Sequence, residues 1–219
     1  KQNNLNATYE KKLLTEADIK GIINELGNEK ISGINVTVPF KKSVIPFLNE
    51  LTSIAKDTNS VNTIYKKKDK IIGDNTDVGG FEYALQNINY PVKGKKAFVL
   101  GAGGVAPSII YALNRMGISD ITLSNRTKEK SEIIKKKYPN LKIINWGDTI
   151  NSDITINATS LGLKEDDEIK LDYSKIGSNK LFYDVIYSPS KTRFLLKAEK
   201  LNNHIENGKM MFVYQAQLS

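Results

Sequence analysis

The segment VLGAGGVAPSII, residues 99 to 110, sets glycine at 101 and 103 and alanine at 106, a G-x-G-x-x-A spacing behind an apolar run and ahead of a helix-like pattern. Gly101 permits a tight turn, Gly103 lets backbone N–H groups approach a pyrophosphate, and Ala106 keeps the following helix close to the sheet. Pro107 falls in the first helical turn, where its missing N–H costs little. Glycine turns between strand and helix also occur without ligands, so the surroundings must carry part of the argument. About 20 residues onward, at the end of the second strand, NAD-binding domains set a carboxylate against the ribose hydroxyls. This strand end has Ser124, Asn125, Arg126 and Thr127 instead, followed by Lys128 and Lys130. A guanidinium, a hydroxyl and lysines hold a 2′-phosphate through charge-assisted hydrogen bonds, which favours NADP. The alternative is that Arg126 merely begins a basic helix.

A nicotinamide donates hydride, and hydride transfer to a carbonyl needs a partner that supplies a proton to the developing alkoxide. A zinc centre lacks ligands, because the chain has no cysteine and one histidine, His204. The two Tyr-x-x-x-Lys pairs, Tyr138 with Lys142 and Tyr187 with Lys191, are interrupted by Pro139 and Pro189, so neither lies on an undisturbed helix. His204 follows an asparagine pair near a strand and reads as a surface or packing residue. Lysine and carboxylate groups remain. Three polar segments follow strands in the first third of the chain: NVTVPFKK at 35 to 42, SVNT at 60 to 63 and GDNTD at 73 to 77. Each puts Asn, Thr, Asp or Lys at the carboxyl end of a strand, where an α/β sheet opens its ligand crevice. Such a lining suits a polyhydroxylated substrate.

The elements that must position these residues alternate. From Thr15, a plausible N-cap, Ile19, Ile22, Ile23 and Leu26 form one apolar face and Gly27 supplies the stop. A strand is expected over 33 to 38, ended by Pro39, and two short strands over 60 to 73 around KKKDK. Val78 to Ile88 reads as helix. Beyond Pro91, strands at 96–100, 120–124, 141–144, 153–157 and 181–185 alternate with helices at 104–116, 127–137 and 191–201. This order implies a parallel sheet covered on both faces. The expected class is therefore α/β, with a smaller α/β region joined near residues 77 to 90 to a doubly wound one.

With 219 residues and 40% hydrophobic residues, the chain can bury a core of one or two domains. No apolar run reaches the ~18 residues of a membrane span. The start at Lys1-Gln2-Asn3-Asn4 and the end at Gln217-Leu218-Ser219, inside an apolar helical pattern, lead us to expect that both ends are missing. The absence of cysteine fits a reducing cytoplasm. The formal charge of +8 invites a nucleic-acid partner, yet there are only three arginines, Arg115, Arg126 and Arg193, and the lysines are spread evenly. Base-reading proteins lean on arginine, so solvated faces account better for the charge than a nucleic-acid surface does.

Taken together, NVTVPFK, S-VNT, GDNTD, GAGG, SNRT, NATSLG at 157 to 162, YDVIYSP at 183 to 189 and the closing VYQAQ resemble the shikimate dehydrogenase family, end to end and in family order. The resemblance implies an NADP-dependent enzyme of aromatic amino-acid biosynthesis that interconverts 3-dehydroshikimate and shikimate. It implies Lys41 as catalytic acid/base and Asp77 as its carboxylate partner, and leaves Lys42 as a solvated neighbour. Thr37, Asn62 and Gln215 correspond to ligands of the substrate hydroxyls, and Tyr187 to a further substrate contact. Gly101, Ala102, Gly103, Gly104 and Val105 would cradle the pyrophosphate; Asn125, Arg126, Thr127, Lys128 and Lys130 the 2′-phosphate; Val185 and Gly208 the nicotinamide. No metal is implied. The implied domains are 1–77 for substrate, rejoined by 208–219, and 78–207 for NADP. The family's first strand and a serine pair that grips the substrate carboxylate would precede Lys1. Lys209-Met210-Met211 replaces a more glycine-rich stretch, and Val185 stands where many members have methionine. Rival expectations are a dual-specificity quinate/shikimate dehydrogenase and a catalytically silent nucleotide-sensing module. The resemblance gives no oligomeric state beyond monomer or homodimer.

Overall fold

The structure, a computed structural model, describes residues 6–164 and 166–219; the expected chain start at 1–4 lies outside them. Two sheets organise the chain. The smaller contains β1 (Gly33–Asn35), β2 (Glu50–Leu51), β3 (Thr63–Lys67) and β4 (Lys70–Asp74) in the order β1-β3-β4-β2. β3 pairs antiparallel with β1 and β4, and β2 runs parallel to β4. Two helices, α1 (Ile19–Gly27) and α2 (Ser53–Thr58), accompany this sheet. Ile19, Ile23 and Leu26 of α1 are buried with Val44, Ala55, Val61 and Ile64. Ile22 only flanks this cluster. A Thr15–Asp18 capping box starts the helical stretch, and Glu29, rather than Gly27, takes the positive φ beyond its end.

The larger sheet contains β5 (Lys96–Leu100), β6 (Asp120–Ser124), β7 (Lys142–Ile144), β8 (Ile154–Asn157), β9 (Leu181–Asp184) and β10 (His204–Glu206). All are parallel, in the order β10-β9-β8-β5-β6-β7. Helices α3 (Asp77–Asn87), α4 (Ala106–Arg115), α5 (Lys128–Lys137), α6 (Tyr173–Ile176), α7 (Arg193–Lys200) and α8 (Lys209–Leu218) complete the chain. The run Ala97-Phe98-Val99-Leu100 looks uniformly apolar, yet the pleat divides it. Ala97 and Val99 enter the core shared with Phe81, Ile109 and Leu113, whereas Phe98 and Leu100 enter the opposite core with Phe182 and Phe194. The chain moves outward from β5 through β6 to β7, then returns to β8 on the other flank. The reversal between β5 and β8 splays the connecting loops apart and opens a crevice at the strand ends.

Several elements differ from expectation. The first strand stops at Asn35, although Val36 N–H still bonds Asn62 carbonyl at 2.7 Å. The helix expected from Gly104 begins at Ala106, after the glycine turn. β2, α2, α6 and β10 had no counterpart in the sequence reading, being two to six residues long. His204 is exposed at the start of β10.

Candidate active site

β4 delivers the GDNTD segment to the N-terminus of α3, where Asp77 is the first helical residue and its negative charge complements the helix dipole. Lys41, in the turn after Pro39, places Nζ 2.6 Å from Asp77 Oδ2. The other carboxylate oxygen accepts from Asn62 Nδ2 at 3.0 Å. Asn62 is oriented by its own oxygen, which accepts Thr76 N–H at 2.8 Å, so its amino group must face Asp77 and Gln215 Oε1, the latter at 3.2 Å. Gln215 comes from α8, 153 residues away in the chain. Its approach depends on Gly79 and Gly80 of α3. A Cβ at Gly80 would lie 2.8 Å from Gln215 Cβ and from Met211 carbonyl, and one at Gly79 2.6 Å from a Leu218 methyl.

The crevice beside this cluster has a volume of about 600 Å³ and is walled by the glycine turn, Asn125 to Thr127, Lys130, Ala158 to Ser160 and Val185 to Ser188. Val38 closes its small-sheet side. Gly101 has φ +102°, and a Cβ there would meet Thr159 Cγ2 at 2.6 Å, so the turn admits only glycine without displacement. Ala102 N–H bonds Asn125 Oδ1 at 3.0 Å, joining the ends of β5 and β6. Gly104 faces the small sheet: a Cβ there would lie 3.9 Å from Lys41 Cδ and 3.8 Å from Val38 Cγ2. The lysine stem therefore rests over the nucleotide turn.

Not every expected residue shares this space. Lys128 borders a neighbouring cavity of about 390 Å³ with Glu132, Lys135 and Trp146, which Arg126 and Asn125 also border. Gly208 is the N-cap of α8, packed under Val185; a Cβ would stand 2.0 Å from Val185 carbonyl oxygen. Thr37 is exposed on the turn before Lys41, and Lys42 is exposed. Tyr187 walls the crevice and stacks on Phe212 of α8, ring centres 5.0 Å apart.

NATSLG was noted as a motif but given no site role; it starts on Asn157, the last residue of β8, so its Ala158, Thr159 and Ser160 form a crevice wall at a strand end. Beneath it Asn157 Oδ1 accepts from Thr159 N–H and hydroxyl at 3.0 and 2.7 Å, and its Nδ2 donates to Asp184 Oδ1 at 3.0 Å. Asp184 is fully buried and also accepts from Thr192 Oγ1 at 2.6 Å and Ile186 N–H at 3.0 Å. Burial pushes its carboxyl above the usual range, against the pull of these hydrogen bonds. Among the described residues no group of three or more His, Cys, Asp or Glu is placed to hold a metal, and no helix is long and apolar enough to cross a membrane.

The glycine turn and Arg126, with Thr127 and Lys130 on the same wall, fit a phosphorylated dinucleotide: open backbone at one end and cationic groups at the other.

Residues 1–64 match the family model described as the shikimate dehydrogenase substrate binding domain, and 82–163 the model described as shikimate / quinate 5-dehydrogenase. The chain is 55% identical over 217 residues to the NADP(+) shikimate dehydrogenase of Pelagibacter ubique, covering 99% of this chain and 82% of that protein. Among solved structures, a shikimate dehydrogenase in complex with NADP+ superposes with a TM-score of 0.87 at 31% identity, over 94% of this chain and 75% of the other. The Thermus thermophilus enzyme in complex with NADP(H) and shikimate gives a TM-score of 0.84 at 27% identity, over 94% and 77%. Conserved fold, matched sequence and the motifs that wall the crevice agree: the chain belongs to the shikimate dehydrogenase family.

Proposed function

We infer that the protein catalyses the reversible NADPH-dependent reduction of 3-dehydroshikimate to shikimate, a step of aromatic amino-acid biosynthesis. The observation that carries this is the Lys41–Asp77 pair, closed at 2.6 Å, with the Lys41 stem lying against Gly104 of the turn that walls the crevice. NADPH, when bound, supplies the hydride. Gly101 to Val105 receive its pyrophosphate, and Arg126, with Asn125, Thr127, Lys128 and Lys130, its 2′-phosphate. Val185 and Gly208 bound the nicotinamide end.

Lys41 carries three donor protons on a flexible stem, and one of them passes to the alkoxide oxygen as the ketone is reduced. Asp77 holds the ammonium on one trajectory while Asn62 fixes the carboxylate. Thr37, Asn62, Tyr187 and Gln215 bind the substrate; Asn62 and Gln215 meet at 3.2 Å, and polar groups drawn from four segments suit a ring bearing several hydroxyl groups. In oxidation the same lysine takes the proton back.

This reading divides the chain into a substrate domain, 1–77 rejoined by 208–219, and an NADP domain, 78–207; the reach of Gln215 to Asn62 supports the return of the last segment to the first domain. The protein acts in the cytoplasm as a monomer or homodimer, which fractionation and light scattering test. The activity is tested by nicotinamide absorbance with shikimate or quinate against NADP+ or NAD+. Reduction of NADP+ by shikimate is expected; turnover confined to quinate and NAD+ overturns the assignment.

A further inference from the structure

Asn75 sits between β4 and α3, 1% exposed, outside the crevice, and none of the roles above uses it. Its Oδ1 accepts the Asp77 N–H at 3.0 Å, and its Nδ2 donates to Thr58 Oγ1 and to Ser108 Oγ, each at 2.9 Å. Because only the oxygen can accept from Asp77 N–H, the amide has one orientation, and both of its N–H groups are committed. The three partners belong to three elements with different duties. Ser108 lies in the first turn of α4, directly behind the glycine turn. Thr58 ends α2, just before Asn62. Asp77 opens α3 and holds Lys41.

We propose that Asn75 is a positioning residue that fixes Asp77, and through it Lys41, relative to the nucleotide turn by bonding the start of α3 to α4, behind that turn, and to the end of α2. The proposal rests on the reading of Lys41 and Asp77 as the proton-transfer pair. Hydroxyl partners on two sides and a backbone amide on the third leave the side chain no alternative rotamer that keeps all three bonds. At the rim the same junction is flanked by Tyr111 hydroxyl on Asp57 carboxylate at 3.1 Å and Tyr138 hydroxyl on Asp57 carbonyl at 3.2 Å. These outer bonds hold α2 against α4 and α5 but do not reach Asp77. Asn75 connects that junction to Asp77, and Ser60 Oγ, bonded to Gly104 carbonyl at 3.4 Å, ties the same segment to the glycine turn.

The test compares the parent with Asn75→Ala, Ser108→Ala and Thr58→Val in four measurements: kcat, calorimetric NADP+ affinity, the isotope effect on kcat with shikimate deuterated at the carbon that loses hydride, and backbone hydrogen exchange. A misplacement near 1 Å costs roughly 10²-fold in rate. The expectation is therefore a kcat about 10- to 100-fold lower for Asn75→Ala, a smaller loss for the two hydroxyl variants, and unchanged NADP+ affinity. The isotope effect should rise as the aligned step becomes limiting, and the Asp77 amide should exchange faster. Variants with a lowered Tm but parental kcat and isotope effect per folded molecule would reduce Asn75 to a structural role. If Asn75→Ala does not fold, the two hydroxyl variants decide by the same criteria. A parent that fails to turn over shikimate defeats the functional reading alone; unchanged exchange at residues 75 to 80 in Ser108→Ala then overturns the positioning role independently.

Discussion

Lys41 Nζ and Asp77 Oδ2 are 2.6 Å apart, and their side chains are only 12% and 8% exposed. Desolvating two charges costs about what their attraction returns, so such a pair is poor at stabilising a fold and its presence calls for another reason. The proton balance of ketone reduction supplies one.

Replacing Lys41 by alanine is expected to lower kcat by ~10²- to 10⁴-fold, the range of general-acid contributions. NADP+ affinity should stay near parental, since the side chain touches the nucleotide turn only through its aliphatic stem. Asp77→Asn keeps the shape and the Asn62 contact can reorganise, so its loss should be smaller. Steady-state kinetics with calorimetric binding separate these effects; a parental kcat in Lys41→Ala would remove the lysine from the chemistry.

Gly80→Ala should act at a distance from the crevice. Its new methyl would stand 2.8 Å from Gln215 Cβ and from the Met211 carbonyl, one of them rigid backbone, so α8 must move away from α3. Overpacking of this kind costs about 1–3 kcal/mol, and the shift carries Gln215 off Asn62. We expect a lowered Tm together with a raised KM for shikimate and an unchanged KM for NADP+. Gly21→Ala on the exposed side of α1, with nothing within 4 Å, has the opposite sign: a gain of about 0.5–1 kcal/mol from the relieved helix entropy.

The parallel sheet was readable because its strands other than β10 are short apolar runs set between helical patterns, and β5 and β6 fall where that pattern puts them. The glycine turn and Arg126 were readable for a related reason, since their meaning depends on a neighbouring strand end. Elements as short as β2 or α6 hold too few residues to establish a period, and they exist because the tertiary frame supplies partners. The bond between Asn62 and Gln215 joins segments that no local pattern relates. Only the family resemblance brought the two residues to one site; the Gly79-Gly80 pair that lets α8 come close carries that meaning only once the helices are seen together. Asn75 was hidden in a different way: an asparagine between strand and helix reads as a turn residue until the two hydroxyls beyond it are seen.

Arg126 is the cationic group that borders both the crevice and the neighbouring cavity. Arg126→Gln removes the charge but retains a donor. Hydrogen bonds to charged groups contribute about 1.5–3 kcal/mol, so the NADP+ dissociation constant should rise roughly 10- to 100-fold while NAD+, which has no 2′-phosphate, is bound as before. Calorimetric titration of both nucleotides checks this. A parallel loss for NAD+ would mean that Arg126 shapes the site rather than reading the phosphate.

Asp153 joins three strands at their N-terminal ends, the side of the large sheet remote from the crevice: its Oδ2 accepts Lys96 N–H at 3.0 Å and its Oδ1 accepts Lys180 Nζ at 3.0 Å. The Lys96 N–H, opposed by burial and assisted by Lys180, holds its carboxyl below the ordinary value of 3.8. A carboxyl whose folded pKa is depressed stabilises the fold above its unfolded value and loses that contribution as pH falls through the folded one. Asp153→Asn should therefore be less stable than the parent near neutral pH by about 1–3 kcal/mol, the cost of removing a charged hydrogen-bond partner. The gap should narrow as pH drops below 3.8. Asp184 acts in the opposite sense, since its raised pKa gives a contribution present at low pH and lost as pH rises through that value. Urea unfolding of parent and variant across a pH series isolates Asp153, because Asp184 is common to both chains and cancels in the difference. A gap independent of pH would show that the asparagine merely disturbs packing and that the carboxylate charge plays no part in holding the strands.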